Sequence, residues 1–246
     1  EVLAPDVARS AEPGHFVMLR LHEGGERIPL TVADFDRDKG TITMVIQALG
    51  KTTQEMRDHY KAGDSIADFV GPLGLPQHVS PAGHVVLVGG GLGVAPVYPQ
   101  LRAFKEAGNR TTGIIGFRNK DLVFWEEQFG RYCDNLIVCT DDGSYGKPGF
   151  VTQALQELLE RDKPDLVVAI GPLPMMNACV ETTRPFGVKT MVSLNAIMVD
   201  GTGMCGSCRV SVDGHTRFAC VDGPDFDAHA VDFDELMHRN RRFDTD

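Results

Sequence analysis

Three cysteines near the C-terminus have a spacing that suits iron–sulfur chemistry. Two residues separate Cys205 from Cys208, and Cys220 follows after a stretch of eleven residues. Plant-type [2Fe–2S] clusters use the pattern C-x4-C-x2-C followed by a distant fourth cysteine. Asp200 stands where that pattern has its first cysteine. Because a carboxylate oxygen can also bind iron, the spacing predicts a [2Fe–2S] cluster held by Asp200, Cys205, Cys208 and Cys220.

The residues around these four donors support a cluster-binding loop and leave alternatives open. Glycines at 201, 203 and 206 permit backbone turns with positive φ, which bring amide groups towards the sulfur atoms. Three cysteines and an aspartate could instead bind zinc, although sets of four cysteines or of cysteines with histidines are more usual. An incidental C-x2-C without metal is the third interpretation. His215 and Asp222 are alternative candidates for the fourth ligand.

A second pattern, at residues 85–101, has the glycine spacing of a dinucleotide-binding turn. The sequence VVLVGGGLGVAPVYPQL is typical of a strand, a tight turn and the start of a helix. Glycines let the backbone approach a pyrophosphate, and the helix N-terminus offers free N–H groups and a positive dipole end. The alternative is an ordinary strand-to-helix turn. The residues predicted to bind the cofactor here are Gly89, Gly90, Gly91, Gly93, Ala95 and Pro96.

Two further loops follow predicted strands and would meet the same sheet edge, where ligands of open α/β sheets bind. The first loop comes after LIVCT and the second after DLVVAI. Their candidate cofactor-binding residues are Asp141, Asp142 and Gly143 in the first loop, and Gly171, Pro172 and Met175 in the second. Arg118 and Lys120 follow another predicted strand and could face a 2′-phosphate or remain solvated.

The N-terminal segment offers two candidate phosphate contacts. Arg27 could pair with a phosphate, and Thr31 could hydrogen-bond the edge of a ring. Gly50, Thr52 and Thr53 stand at the start of a predicted helix, whose free N–H groups suit an anion. A solvated arginine and a plain helix cap are the alternative interpretations.

The elements that must position these residues fall into three segments. Residues 1–80 contain short alternating runs, such as TITMVIQAL at 41–49, and one helical stretch over 52–63, which predicts a small antiparallel β-barrel. Residues 82–192 alternate apolar strands with helical patterns, such as DLVFWEEQF at 121–129, which predicts a doubly wound parallel α/β domain. Residues 193–246 predict a small C-terminal cluster-binding module. The predicted fold class is therefore a β-barrel plus an α/β domain and this module.

Composition excludes several classes of function. The formal net charge of −10 argues against non-specific binding to nucleic acid or anionic membranes. No apolar run approaches the roughly 20 residues of a membrane span, and no signal peptide is visible. Because the chain opens at Glu1 rather than Met, we expect its natural N-terminus to lie upstream. The six cysteines are too sparse for a disulfide scaffold and indicate a cytoplasmic protein with a Cys-ligated site.

Together these motifs resemble those of ferredoxin-reductase-type flavoproteins over essentially the whole chain. Residues 27–31 (Arg-Ile-Pro-Leu-Thr) and 50–53 (Gly-Lys-Thr-Thr) resemble that family's FAD-binding motifs. Residues 89–96 (GGGLGVAP) and 171–176 (GPLPMM) resemble its nicotinamide-binding motifs. The resemblance implies FAD and NAD(H) as cofactors, with NADP(H) the less favoured nicotinamide. To the expected flavin contacts it adds Pro29, Leu30 and Gln47.

The appended cluster motif narrows the resemblance. The chain is similar to the electron-transfer subunit of dihydroorotate dehydrogenase, and more similar to the small subunit of NADH-dependent reduced ferredoxin:NADP oxidoreductase, also known as sulfide dehydrogenase. The former has a cysteine at the position of Asp200, whereas the latter has the Asp-plus-three-Cys arrangement. Ile170 stands where many ferredoxin reductases have a cysteine, so no thiol is expected beside the nicotinamide. Cys139 and Cys179 are expected to be buried structural thiols.

The resemblance implies an oxidoreductase subunit that passes electrons between NAD(H), FAD and the cluster to a larger subunit with its own flavin and [4Fe–4S] clusters. Such a heterodimer would be an electron-bifurcating ferredoxin:NADP transhydrogenase. The alternatives are an electron-transfer subunit of dihydroorotate dehydrogenase, hydrogenase or sulfide dehydrogenase, and a non-redox nucleotide-binding module with structural zinc. No side chain is expected to act as general acid or base, because the cofactors carry the chemistry.

Overall fold

The N-terminal region consists of short antiparallel strands, and the computed structural model as a whole describes residues 1–241. In chain order its elements are β1 (Val2–Leu3), α1 (Pro5–Ser10), β2 (Phe16–Arg20), β3 (Ile28–Thr31), β4 (Asp34–Asp36), β5 (Thr41–Thr43), α2 (Lys51–His59) and β6 (Asp68–Leu73). Strands β1, β5 and β4 form one three-stranded sheet, and β3, β2 and β6 form another. Apolar side chains from α1, β2 and β5 share one core, which includes Val7, Val17 and Ile42. The antiparallel sheets predicted for this region are confirmed.

Two elements of this region are shorter than the sequence pattern predicts. The alternating run at 41–49 forms a strand only over Thr41–Thr43, and the chain then continues to Gly50 without regular structure. The helix predicted over 52–63 spans Lys51–His59 instead. The Tyr60 hydroxyl donates to Leu21 O at 2.9 Å, so the chain turns back towards the sheet one residue after the helix ends.

The middle region is a parallel sheet covered by helices on both faces. Its elements are β7 (His84–Gly90), α3 (Val94–Glu106), β8 (Arg110–Phe117), α4 (Glu126–Gly130), β9 (Asn135–Thr140), β10 (Lys147–Pro148), α5 (Val151–Arg161), β11 (Leu166–Ile170), α6 (Leu173–Thr183) and β12 (Lys189–Ser193). The strand order is β10-β9-β8-β7-β11-β12, with parallel neighbours.

Alternation along β7 explains why both faces are covered. Val85 and Leu87 pack in the core beneath α3, whereas Val86 and Val88 pack in the core beneath α5 and α6. Because successive side chains of a strand point to opposite faces, a strand with the unbroken apolar run at residues 85–88 needs helices on each side. The doubly wound α/β fold predicted for this region is confirmed.

The helix predicted at 121–129 is divided. A 3-10 turn spans Lys120–Leu122, and α4 begins only at Glu126. Trp125 between them has a left-handed backbone with φ of 59°. Its ring lies 5.3 Å from that of Tyr98 on α3. Packing of the large indole against α3 therefore overrides the local helical pattern.

The C-terminal region shares the large sheet with the middle region. Its elements are β13 (Arg209–Val212), β14 (His215–Phe218), α7 (Ala219–Asp222), β15 (Asp225–Asp227) and α8 (Phe233–Asn240). β13 and β14 form a hairpin, while β15 pairs antiparallel with β12. Residues 242–246 of the predicted module lie outside the described residues. Within residues 1–241, no helix has the length and apolar character needed to cross a bilayer.

Candidate cofactor sites

Two of the predicted cluster ligands are buried beside each other. Cys208 directly precedes β13, and Cys220 lies in α7, which directly follows β14. The backbone N–H of Ala219 donates to Cys208 O at 3.0 Å, which holds the two segments together. The Cys208 thiol donates to Cys220 Sγ at 3.2 Å. Burial raises the pKa of Cys220 to about 12, so metal binding would have to displace the proton of this thiol.

The other two predicted ligands lie on the exposed loop before Cys208. Hydrogen bonds from Ser207 lower the pKa of the exposed Cys205 thiol. The Asp200 carboxylate accepts the N–H of Thr202 through Oδ1 at 2.8 Å and that of Cys205 through Oδ2 at 2.7 Å. These backbone N–H bonds, led by that of Thr202, lower the pKa of Asp200. This carboxylate is therefore ionised and holds the loop in shape.

Backbone conformation explains the glycines of this cluster loop, which we define as residues 200–208. Gly201, Gly203 and Gly206 have φ values of 74°, 83° and 70°. A Cβ at Gly201 would lie 2.6 Å from Met18 Cγ and 3.1 Å from Leu73 Cδ1. The loop therefore packs directly on β2 and β6 of the N-terminal region.

The four predicted ligands suit a cluster. Cys208 and Cys220 form a buried pair, and Asp200 and Cys205 lie on the exposed loop beside it. As the side chains stand, no three His, Cys, Asp or Glu residues among positions 1–241 converge on a single point that could hold one metal ion. The alternative ligands fit less well than Asp200. His215 lies opposite Val212, at the end of the hairpin away from Cys208, and Asp222 accepts the N–H of Phe218 at 2.7 Å.

The glycine-rich turn and the loop after β11 are packed against each other. β7 and β11 are adjacent, with Gly89 opposite Ile170. A Cβ at Gly93 would overlap Ile170 O and lie 2.7 Å from Gly171 Cα. The Met175 thioether covers Gly90, at a position that a Cβ there would occupy. The structure therefore brings Gly89, Gly90, Gly91, Gly93, Ala95, Pro96, Gly171, Pro172 and Met175 together at the carboxyl edge of the sheet.

The loop after β9 lies at the same edge. The N–H of Asp141 donates to Phe117 O at 3.0 Å, and that of Asp142 donates to Arg118 O at 3.2 Å. Asp142 also accepts from Ser144, whose hydroxyl accepts the N–H of Lys120 at 2.8 Å. The loop that includes Asp141, Asp142 and Gly143 thus joins the loop with Arg118 and Lys120 along one edge.

The N-terminal candidates form a second group. Arg27 Nη2 lies 3.3 Å from Asp68 Oδ2, and the Thr52 hydroxyl donates to Glu26 Oε2 at 3.0 Å. The Thr53 hydroxyl accepts the N–H of Gly50 at 3.1 Å, so it caps α2. Pro29, Leu30 and Thr31 are half-buried on β3, and Gln47 is exposed in the irregular segment after β5.

Several residues of these sites were not predicted. Glu26 and Asp68 bind candidate flavin residues, and Glu126 accepts the Tyr145 hydroxyl at 2.9 Å beside Lys120. Their partners are distant in sequence, so no local signal indicated them. The prediction for Cys139 and Cys179 is confirmed, since both are buried and burial raises their pKa values to about 11 and about 12.

Two family models match the chain. Residues 195–232 match the iron–sulfur cluster binding domain of dihydroorotate dehydrogenase B, and residues 87–181 match the oxidoreductase NAD-binding domain. The first range contains the four predicted cluster ligands, and the second contains the glycine-rich turn.

Two curated relatives and one solved structure match over nine-tenths or more of the chain, and a second solved structure matches over part of it. The Thermotoga maritima homologue of the dihydroorotate dehydrogenase B electron transfer subunit is 52% identical, over 96% of this chain and 83% of the relative. The electron transfer subunit from Fusobacterium nucleatum is 34% identical, over 90% and 87%. A chain of NADH-dependent reduced ferredoxin-NADP oxidoreductase superposes with a TM-score of 0.93 at 50% identity, over 98% and 86%. Amycolatopsis cytochrome P450 reductase, at 22% identity and a TM-score of 0.60, shares the fold over 71% and 57%.

Proposed function

The chain belongs to the family of dihydroorotate dehydrogenase B electron-transfer subunits and their homologues, and on this basis we propose that it carries electrons between NAD(H), FAD and a [2Fe–2S] cluster to a larger partner. It is an oxidoreductase subunit with an NAD-binding region and an iron–sulfur-binding region, in a ferredoxin-reductase-like fold that implies flavin binding. The cluster type, the site residues, the domain boundaries at 80 and 193, and the partner's identity are parts of the proposal.

One observation carries the proposed electron path. The cluster loop packs on β2 and β6, the strands of the N-terminal region, through Gly201. A second contact joins the two regions, because the N–H of Leu75 donates to Gly223 O at 2.6 Å. A cluster on this loop would therefore lie against the proposed flavin region.

The proposed flavin site has two features that suit an anion, namely the side chain of an arginine and the N-terminus of a helix. Arg27 has an exposed guanidinium that keeps donors free beyond its contact with Asp68. The first turn of α2, after Gly50, presents backbone N–H groups to an anion. Pro29, Leu30, Thr31, Gln47, Thr52 and Thr53 complete the proposed set.

The proposed nicotinamide site lies at the carboxyl edge of the parallel sheet. The turn at Gly89–Gly93 presents the N-terminus of α3 to a pyrophosphate, while the loops at Asp141–Gly143 and Gly171–Met175 flank it. We propose NAD(H) rather than NADP(H), because two carboxylates face this edge and would repel a 2′-phosphate. Asp142 is linked to the Lys120 backbone through Ser144, and Glu126 accepts the hydroxyl of Tyr145, over whose ring Lys120 lies.

The proposed cluster ligands are Asp200, Cys205, Cys208 and Cys220. When bound, the cluster would exchange electrons one at a time, and a bound flavin would connect this to the two-electron chemistry of the nicotinamide. The chain's own contribution is positional: Cys208 and Cys220 bury one side of the site, and Asp200 fixes the loop that carries Cys205.

The first test is the composition of the protein purified without oxygen. We expect about one FAD, two irons and two sulfides per chain, with the EPR signal of a reduced [2Fe–2S] cluster after NADH is added. Stoichiometric zinc in place of iron, or a chain without flavin, would overturn the proposal.

The second test identifies the partner. We propose the larger subunit of a bifurcating ferredoxin:NADP oxidoreductase, with its own flavin and [4Fe–4S] clusters, because the superposition with that enzyme's chain covers 98% of this one. The second candidate is a dihydroorotate-oxidising subunit, which the matching family model favours. Mass spectrometry of the subunit that co-purifies with a tagged chain from its native cells separates the two.

The expected cytoplasmic location stays a prediction.

A further inference from the structure

Two arginines from different elements donate to consecutive carbonyl oxygens of the cluster loop. Arg209, the first residue of β13, donates from Nη1 to Gly206 O at 3.4 Å. Arg239, near the end of α8, donates from Nη2 to Ser207 O at 3.2 Å. The chain has more acidic than basic residues, yet two of its cations converge on this short segment between Cys205 and Cys208.

The first of these peptide groups also donates its N–H to a sulfur atom. In a trans peptide the C=O and N–H bonds point in opposite directions. Gly206 O belongs to the same peptide group as Ser207 N–H, which donates to Cys205 Sγ at 3.5 Å. Arg209 therefore contacts one end of a dipole whose other end contacts a predicted iron ligand.

The second arginine acts on the next peptide group. Ser207 O, which Arg239 contacts, belongs to the same group as the N–H of Cys208. Arg239 is half-buried and lines, together with Arg209 and Leu236, a cavity of about 220 Å³ beside the loop. Because Leu236 is buried in the main core, α8 and its arginine are anchored to the body of the molecule.

We propose that Arg209 and Arg239 are positioning residues for the cluster. They orient the two peptide groups between Cys205 and Cys208, and they raise the cluster's reduction potential. The proposal rests on the proposed function, since it requires a cluster on Asp200, Cys205, Cys208 and Cys220. Reduction adds a negative charge to the site, and nearby cations together with N–H bonds to sulfur stabilise that charge. Hydrogen bonds in a chain polarise one another, so the Arg209 guanidinium also strengthens the bond from Ser207 N–H to Cys205 Sγ.

The test is a redox titration of the cluster, followed by EPR, in the intact protein and in three variants. Arg239→Gln removes the charge, Arg239→Lys keeps it, and Arg217→Gln removes an exposed charge from the opposite strand of the same hairpin. At the solution potential that leaves the wild-type cluster half reduced, we expect the reduced fraction of R239Q to fall about twofold or more. R239K should fall less, and R217Q should stay close to the wild type.

Each outcome decides between the proposals. A wild-type protein without a [2Fe–2S] signal would contradict the proposed function itself. A normal cluster whose potential is equal in R239Q, R217Q and the wild type would overturn the proposed role of the arginines and leave the proposed function standing. If R239Q assembles little cluster while R217Q assembles it fully, the positioning role is supported. Equal loss in both variants would count against it.

Discussion

At the scale of single residues, the Asp200 carboxylate supports the cluster loop and, in our proposal, also binds iron. Each of its oxygens accepts one backbone N–H, from Thr202 and from Cys205. A carboxylate has about four lone-pair sites, so these two bonds leave sites for a metal ion. Iron binding and loop support are therefore compatible in one side chain.

Replacement of Asp200 by cysteine tests its role as a ligand. We expect Asp200→Cys to keep a [2Fe–2S] spectrum but to change the EPR g values and the reduction potential, because the ligand atom changes from oxygen to sulfur. The measurement is an EPR-monitored redox titration. The matched control is Thr202→Cys, which adds a thiol at an exposed position of the same loop. Identical spectra for D200C and the wild type would exclude Asp200 as a ligand.

Asp225 is a second residue whose carboxyl group is unusual. Its Oδ2 accepts from Gln100 Nε2 at 3.1 Å, whereas its Oδ1 is inaccessible to solvent and has no partner within the described chain. Gln100 Oε1 is likewise inaccessible and without a partner there. Burial raises the pKa of Asp225 to about 6, against hydrogen bonds from Ser193 and Gln100 that lower it.

The raised pKa makes stability depend on pH. Between the ordinary value of 3.8 and about 6, the folded chain binds a proton at Asp225 more tightly than the unfolded chain does. This contribution is fully present below about pH 4 and is lost as the pH rises through about 6, by about 2–3 kcal/mol. We expect Asp225→Asn to remove this loss and to raise the urea midpoint at pH 7.5 relative to the wild type. The exposed Asp227→Asn, on the same strand, should leave the pH dependence unchanged.

At the scale of elements, the turn between β7 and α3 has no space for a side chain at Gly93. A Cβ there would meet the backbone of β11 and its following loop, at Ile170 O and Gly171 Cα. Backbone atoms cannot rotate away as a side chain can, so the turn itself would have to move. This movement would displace the N–H groups at the start of α3.

We therefore expect Gly93→Ala to lower the free energy of unfolding by about 1–3 kcal/mol. Displacement of the turn should also weaken NADH binding about tenfold or more, which corresponds to about 1.4 kcal/mol. Urea unfolding and calorimetric titration with NADH measure the two effects. Gly130→Ala in α4 is the control, because nothing lies within 4 Å of the added methyl group. A G93A protein that binds NADH as tightly as the wild type would contradict the proposed pyrophosphate site.

At the scale of the whole molecule, an ion pair joins the N-terminal region to the α/β region. Arg102 on α3 lies 2.7 Å from Asp34 on β4, and both side chains are largely shielded from solvent. The Arg102 guanidinium also lies over the Phe35 ring, 5.2 Å from its centroid, and over that of Tyr98 at 5.9 Å. This contact fixes the proposed flavin region relative to the proposed nicotinamide region.

A double-mutant cycle measures the contact. With Asp34→Asn, Arg102→Gln and the combined variant, we expect a coupling free energy of about 1 kcal/mol or more from unfolding, and slower flavin reduction by NADH with little change in NADH affinity. The control pair is Glu127 and Arg131, which is exposed and should couple by no more than about 0.5 kcal/mol. Equal coupling in the two pairs would show that the regions are not held together here.

Local patterns were sufficient to predict the antiparallel strands, the parallel α/β sheet and the glycine-rich turn, because each depends on residues close in sequence. Contacts between distant segments left no such trace. Asp34 with Arg102, Gln100 with Asp225, and Arg239 with Ser207 are joined only by the fold. The pairing of β15 with β12 also escaped prediction, since Asp225–Asp227 is too short to show a strand period. The helix prediction at Trp125 failed for a related reason, because ring packing fixed its backbone.

The pairing of β15 with β12 has one more consequence. A parallel sheet that ended at β12 would present a row of open N–H and C=O groups, to which another chain could add a strand. β15 occupies that border of the sheet, with Val192 opposite Phe226. The three-residue β15 thus replaces the longer open edge of β12 with a short one, which gives another chain less backbone to pair with. Loss of the C-terminal region would expose the edge of β12 to such pairing and would also remove the proposed cluster ligands.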